Sequence, residues 1–194
     1  MPPIKKNKKN IKFNPLLIDI EMKEKINYYY LLDISYSMQG DRLNNAKKAI
    51  LSSINNLDKH NNIAIYTFNN RTNILLDLIN IEKINKIDII SLLNTIQVNG
   101  STSIYDAIFF TINKINDKSE CILITDGEDN YSFYKYASLL DKLSEHKNIL
   151  LNILHIKNDN IINDEFKVLC EQQKGKYKII NDNNIVNMFE NLNI

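Results

Sequence analysis

Asp33, Ser35 and Ser37 alternate within Asp33-Ile-Ser-Tyr-Ser-Met38, so an extended backbone there would aim all three side chains the same way. One carboxylate and two hydroxyls are hard oxygen donors. Such a set suits a small divalent cation such as Mg²⁺, which keeps several waters rather than filling an all-protein cage. Two other polar segments carry matching donors, Thr102 in Gly100-Ser-Thr-Ser-Ile-Tyr-Asp106 and Asp126 in Thr125-Asp-Gly-Glu-Asp-Asn130. Gly40, Gly100 and Gly127, three of only four glycines in the chain, fall beside these segments, which suggests tight loops converging on one spot. Together the segments offer two carboxylates and three hydroxyls. Ser and Thr also cap helices and close turns, so one segment alone would favour that plainer role; three in sequence favour a cation.

The elements that must hold these segments follow from hydrophobic spacing. Tyr28 to Ile34 is a continuous apolar run of strand length, as expected for a strand buried on both faces. Leu43, Ala46, Ala49, Ile50, Ile54 and Leu57 recur at helical spacing. Ile63–Phe68 reads as a second strand and Asn73 to Leu78 as a third, turned back through Asn69-Asn70. Helices are expected over Ile81–Ile96, Ile104–Ile115, Phe133–His146, Asp164–Gln173 and Asn184–Leu192, with strands at Cys121–Thr125, Ile149–Ile156 and Lys176–Ile180. This alternation predicts a doubly wound α/β domain, with a mostly parallel sheet, one antiparallel edge strand and helices on both faces. In such sheets ligands bind at the carboxyl ends of the strands, where strand order reverses. The Asp33 segment leaves the first strand and Asp126 ends the fourth.

Composition sets outer bounds. The 194 residues are 44% hydrophobic and 24% charged with a formal net charge of +1, which fits one domain with a real core and excludes a generally basic nucleic-acid coat. No apolar run reaches the roughly 18–20 residues of a membrane helix. Residues 1–27 read as an extension, with Lys5, Lys6, Lys8, Lys9 and Lys12 and all three prolines, and residues 28–194 as the domain. The lysines lack the apolar core of a secretory signal behind them, and Cys121 and Cys170 lack CxxC spacing, so a cytoplasmic, reduced protein is expected. Asn and Ile make up about a third of the chain, a bias expected of an AT-rich genome such as that of a large DNA virus or a protist.

Asp33-Ile-Ser-Tyr-Ser, Gly100-Ser-Thr with Tyr105-Asp-Ala107, and Leu123-Ile-Thr-Asp-Gly127 occur in the order and spacing of a known pattern. Together they resemble the metal-ion-dependent adhesion site of a von Willebrand factor A domain, over roughly Tyr28 to Asn191. The resemblance implies the Rossmann-like fold of that family and a Mg²⁺ (or Mn²⁺) ion with Ser35, Ser37 and Thr102 as hydroxyl ligands. It places Asp33 and Asp126 close by, binding directly or holding metal-bound waters. It also implies that a Glu or Asp of a partner protein fills the remaining position, which makes the chain a non-enzymatic interaction module, an intracellular adaptor or complex subunit. Tyr36 stands where many members have Gly; integrin β-subunit domains also carry Tyr there, so the rim changes and the ligands do not.

A different class of function is a metal-dependent phosphoester hydrolase using Asp33, Asp126 and Glu128. It lacks an evident general base or phosphate cradle, and no GxxxxGK[ST], GxGxxG or GxSxG motif is present. Glu128 and Asp129 are expected to face solvent or help start the following helix, and Asp41 and Asp106 to stabilise the helices they begin. His60, His146 and His155 have no Cys or His at ligand spacing and read as surface or packing residues.

Overall fold

The computed structural model describes residues 24–157 and 161–181. Six strands and five α-helices follow one another along them: β1 (Asn27–Asp33), α1 (Asp41–Asn56), β2 (Asn62–Phe68), β3 (Thr72–Asn80), α2 (Lys86–Asn94), α3 (Ile104–Ile112), β4 (Ser119–Thr125), α4 (Tyr136–Ser144), β5 (Ile149–Ile156), α5 (Asp164–Gln172) and β6 (Tyr177–Ile180). The strands form one sheet in the order β3-β2-β1-β4-β5-β6. Every pairing is parallel except β2 with β3, so the expected antiparallel edge strand is present.

Strict alternation along the central strands divides the core between two faces. Tyr28, Tyr30 and Leu32 of β1 join Ile63 and Ile65 of β2 against α1 and α2 through Ala46, Ile50, Ile89 and Leu93. The intervening Tyr29 and Leu31 join Ala64, Tyr66 and Phe68 against α3, α4 and α5 through Ile108, Leu139 and Phe166. All seven residues of β1 are buried, as a strand covered on both faces requires. The Tyr30 hydroxyl meets the Ser53 hydroxyl at 2.7 Å, which satisfies two polar groups in an otherwise apolar layer.

Local hydrogen bonding moves three expected boundaries. The single helix expected over Ile81–Ile96 is a 3₁₀ turn (Ile81–Lys83) followed by α2, because two asparagines compete to start it. Asn80 Oδ1 accepts from Glu82 N at 3.1 Å, and Asn85 Oδ1 accepts from Asp88 N at 3.0 Å. The helix expected from Phe133 begins at Tyr136, since the Phe133 and Tyr134 amides are held by the Asp106 carboxylate, both at 2.9 Å. α3 stops at Ile112 rather than Ile115. Most of the N-terminal extension and the helix expected at Asn184–Leu192 lie outside the described residues. Among the described residues no helix is long and apolar enough to cross a membrane.

At the amino-terminal end of the sheet, a polar ladder crosses β4 to β6. Asn152 donates to Glu120 at 2.5 Å and accepts from the Lys176 amide at 2.8 Å. Burial pushes the Glu120 carboxyl up to about 7, against the nearby positive charge of Lys176 and the Asn152 hydrogen bond, both of which favour the charged form. The folded state therefore binds the proton more tightly than the unfolded chain. The associated stability is fully present below the unfolded value near 4.5 and is lost as pH rises through about 7. Glu120→Gln keeps the acceptor and removes the charge, so it should gain on the order of 2 kcal/mol over wild type at pH 8. At pH 4 the two proteins should unfold at the same urea concentration; a gap of equal size at both pH values would overturn the assignment.

Candidate functional site

β1 lies between β2 and β4 in the sheet, so the chain leaves β1 in one direction along the sheet and returns to its other side at β4. Asp33 ends β1 and Asp126 directly follows β4, which sets both at the point where strand order reverses. Backbone hydrogen bonds fasten three loops together there. Tyr36 N donates to Gly100 O at 3.2 Å and Asn99 N to Ile34 O at 2.8 Å. On the other side of the same strip, Asn130 N and Tyr131 N both donate to Thr102 O, at 3.0 and 3.1 Å, and Thr102 N donates to Asn130 Oδ1 at 3.0 Å. Gly100 adopts φ +76°, and a Cβ there would run into the Asn70 side chain, whose Oδ1 receives the Ser101 amide at 2.7 Å.

The oxygen donors form a continuous chain. Ser35 Oγ and Ser37 Oγ are 3.0 Å apart, and Ser37 Oγ donates to Asp126 Oδ1 at 2.7 Å. Asp33 is fully buried; its Oδ1 accepts from Ser35 N at 2.8 Å and its Oδ2 from Thr125 Oγ1 at 2.5 Å. Thr102 is buried, and its Oγ1 lies 3.6 Å from where a Cβ on Gly127 would stand, so it borders the Asp126 loop. The backbone between Ser35 and Ser37 is not the extended one the alternation suggested. Tyr36–Met38 is a 3₁₀ turn, closed by Met38 N on Ser35 O at 3.1 Å, and it brings the two hydroxyls together by curling.

Burial pushes the Asp33 carboxyl up to about 6; hydrogen bonds from Thr125 and Ser35 oppose the shift and the Asp126 charge adds to it. Asp33, with the Asp126 charge nearby, thus stands in an environment that favours added positive charge. Among the described residues no group of three or more His, Cys, Asp or Glu could hold a metal, so any cation here would depend on hydroxyls as well as on the two carboxylates. The spacing suits that role. A cation with oxygens at about 2.0–2.1 Å in octahedral array sets neighbouring ligands about 3 Å apart, the separation of the Ser35 and Ser37 hydroxyls.

Several contributors escaped the sequence reading. Arg42 Nη1 donates to Asp126 Oδ2 at 2.6 Å, with the Asp126 side chain fully buried and that of Arg42 31% exposed. A signal existed: a cation in the first turn of a helix opposes the helix dipole, so it calls for a partner elsewhere. Thr125, read only as the end of a strand, orients Asp33. Asp129 does not serve the following helix; its Oδ1 accepts from Ile104 N at 2.7 Å and Tyr105 N at 3.2 Å, capping the preceding α3 across the loop. Glu128 is exposed, and no observation favours the hydrolase in which it would act. His155 is buried in β5, with Nδ1 2.9 Å from the Tyr177 hydroxyl.

The von Willebrand factor type A domain model matches residues 28–191. A search of curated proteins finds no match. Among solved structures, the chain is similar to a von Willebrand factor type A protein from Catenulispora acidiphila (17% identity, TM-score 0.76), covering 87% of this chain and 42% of that one. It is also similar to the ArnB paralog VWA2 from Sulfolobus acidocaldarius (22% identity, TM-score 0.68), covering 84% and 44%. BatB from Bacteroides thetaiotaomicron matches at 20% identity and TM-score 0.66, covering 85% and 96%. The chain thus spans less than half the length of the first two, and at these identities the likeness is one of fold.

Proposed function

Because the chain belongs to the von Willebrand factor type A domain family, a family that commonly mediates protein–protein interaction, we propose that it is a non-enzymatic, cation-dependent interaction module. It captures a Glu or Asp of a partner protein and acts as an intracellular adaptor or complex subunit. One observation carries this reading: the Ser35, Ser37 and Asp126 oxygens form an unbroken chain beside buried Asp33 at the strand-order reversal. Ser35, Ser37 and Thr102 would hold Mg²⁺ or Mn²⁺, with Asp33 and Asp126 binding directly or through waters. Few charged donors leave such an ion electron-poor, and the chemistry it supplies when bound is an open position for an incoming carboxylate.

The chain's own residues do the rest. Thr125 and the Ser35 amide fix the Asp33 carboxylate, and Ser37 fixes Asp126 Oδ1. The partner's footprint extends onto aromatic rings. Tyr36, Tyr131, Phe133 and Tyr134 are the exposed aromatic side chains among the described residues, and all lie on the two loops that carry Ser35, Ser37 and Asp126. Tyr36 and Tyr131 dock by their amides on carbonyls only two residues apart, Gly100 and Thr102, so both flank the site. Apolar side chains next to the captured acid would cover them.

Thermal unfolding in EDTA and in millimolar Mg²⁺ or Mn²⁺ tests the cation. A ligand at about 100 times its Kd should add roughly 2.7 kcal/mol, or about 5–10 °C at this size. Wild type that unfolds at one temperature in all three would remove the proposal's basis.

A further inference from the structure

We propose that Arg42 is a tethered counter-charge that holds Asp126 when the site is empty of metal and weakens its grip on the divalent ion. This rests on the cation-dependent reading above. The two Asp126 oxygens are divided: Oδ1 receives Ser37 Oγ at 2.7 Å and Oδ2 receives Arg42 Nη1 at 2.6 Å. A short, charge-assisted contact to a fully buried carboxylate is among the stronger polar interactions a domain makes. Nothing in α1 itself asks for it. Arg42 sits in the helix's first turn, where the dipole disfavours a cation and where Asp41 already supplies the favourable sign.

The reason lies across the loop. Asp33 ends β1 and Asp126 follows β4, two adjacent parallel strands, so the fold draws two carboxylates with buried side chains together. A pair of like charges removed from water needs a positive charge nearby. The guanidinium provides one that no ordinary pH can neutralise. That permanence has a second effect: when a dication binds, the arginine charge stays and repels it across Asp126. Arg42 therefore lowers the stability difference between empty and loaded domains, and it moves half-saturation to higher metal concentration.

The test compares the full chain with Arg42→Gln and with Arg42→Met, which keeps the aliphatic stem should the Gln variant fail to fold. Mn²⁺ affinity is measured by titration calorimetry and the melting temperature in EDTA and in saturating Mn²⁺. Loss of the charge should tighten Mn²⁺ binding at least about tenfold, since even a fully aqueous dielectric leaves about that much repulsion between a unit charge and a dication a few ångströms apart. It should also lower the melting temperature in EDTA, and the deficit should shrink in Mn²⁺. A purely structural arginine would give equal deficits in both buffers and an unchanged affinity, and that result overturns the inference. Weaker Mn²⁺ binding by the variants overturns it too, since Arg42 would then be organising a donor. Binding by the variants and not by wild type supports it in its strongest form. Binding by none overturns the cation reading itself, and this inference with it.

Discussion

Gly175→Ala is expected to destabilise the domain by about 3 kcal/mol or more, roughly a 10 °C drop in melting temperature for a chain of this length. Gly175 joins α5 to β6, and its amide donates to Cys170 O at 2.8 Å to end the helix. A Cβ built there would overlap the Leu151 carbonyl group, 2.5 Å from its carbon and 3.1 Å from the Leu151 nitrogen. Leu151 is in the middle of β5, paired with Cys121 of β4, so its backbone cannot step aside without disturbing the sheet. The chain would have to move instead. That would pull on the Lys176 amide bonded to Asn152, the Tyr177 hydroxyl beside His155 and the buried Ile180. Gly40→Ala is the matching control. Gly40 has φ +85° and ψ −130°, a region L residues avoid, with no atom within 4 Å of a built Cβ, so its cost is backbone strain alone, about 1–3 kcal/mol. Thermal unfolding of both variants decides the matter, and a Gly175→Ala protein no less stable than Gly40→Ala would sink the close-approach argument.

The second large effect falls on the site. Asp33→Ala should leave the domain folded in EDTA, within about 1–2 kcal/mol of wild type, while removing its response to Mg²⁺ or Mn²⁺ altogether. Two changes of opposite sign meet in the first half of that statement. The Ser35 amide and the Thr125 hydroxyl lose their acceptor, which destabilises. A fully buried carboxylate, whose charged form burial disfavours, also leaves the core, which stabilises. No such cancellation operates with metal present, because the proposed ion loses its deepest carboxylate. The roughly 2.7 kcal/mol expected for wild type at about 100 times Kd should vanish. An Asp33→Ala protein that melts higher in Mn²⁺ by as much as wild type would mean that the ion binds elsewhere.

Much of this arrangement was legible in the residues. Ile149–Ile156 is a strand with the boundaries its apolar run suggested, and the helical spacing from Leu43 to Ile54 locates α1, because burial on one face fixes both patterns. The three polar loops could be chosen because a doubly wound sheet sends such loops to one edge. What remained hidden was decided between segments distant in sequence. Asp129 caps a helix that begins 25 residues earlier, and Asp106 holds the Phe133 and Tyr134 amides that would otherwise have begun α4. Arg42 meets Asp126 across 84 residues. Hydrophobic period says nothing of such pairings. Ser35 and Ser37 were expected to aim one way from an extended backbone; a 3₁₀ turn instead curls the two hydroxyls together, which a period-two pattern does not reveal.

The division of β1 between two cores makes this strand the phase reference for the whole molecule. Tyr28, Tyr30 and Leu32 are read by one layer of helices, Tyr29 and Leu31 by the other, and Asp33 is the next step in the same count. Insertions in loops away from the oxygen cluster leave that count unchanged, so those loops are free to vary in length. Deleting a single residue from β1 would exchange the two sets of side chains and carry Asp33 out of step with Asp126. The geometry of the oxygen cluster is thus inherited from the arithmetic of the hydrophobic core, and neither can drift without the other.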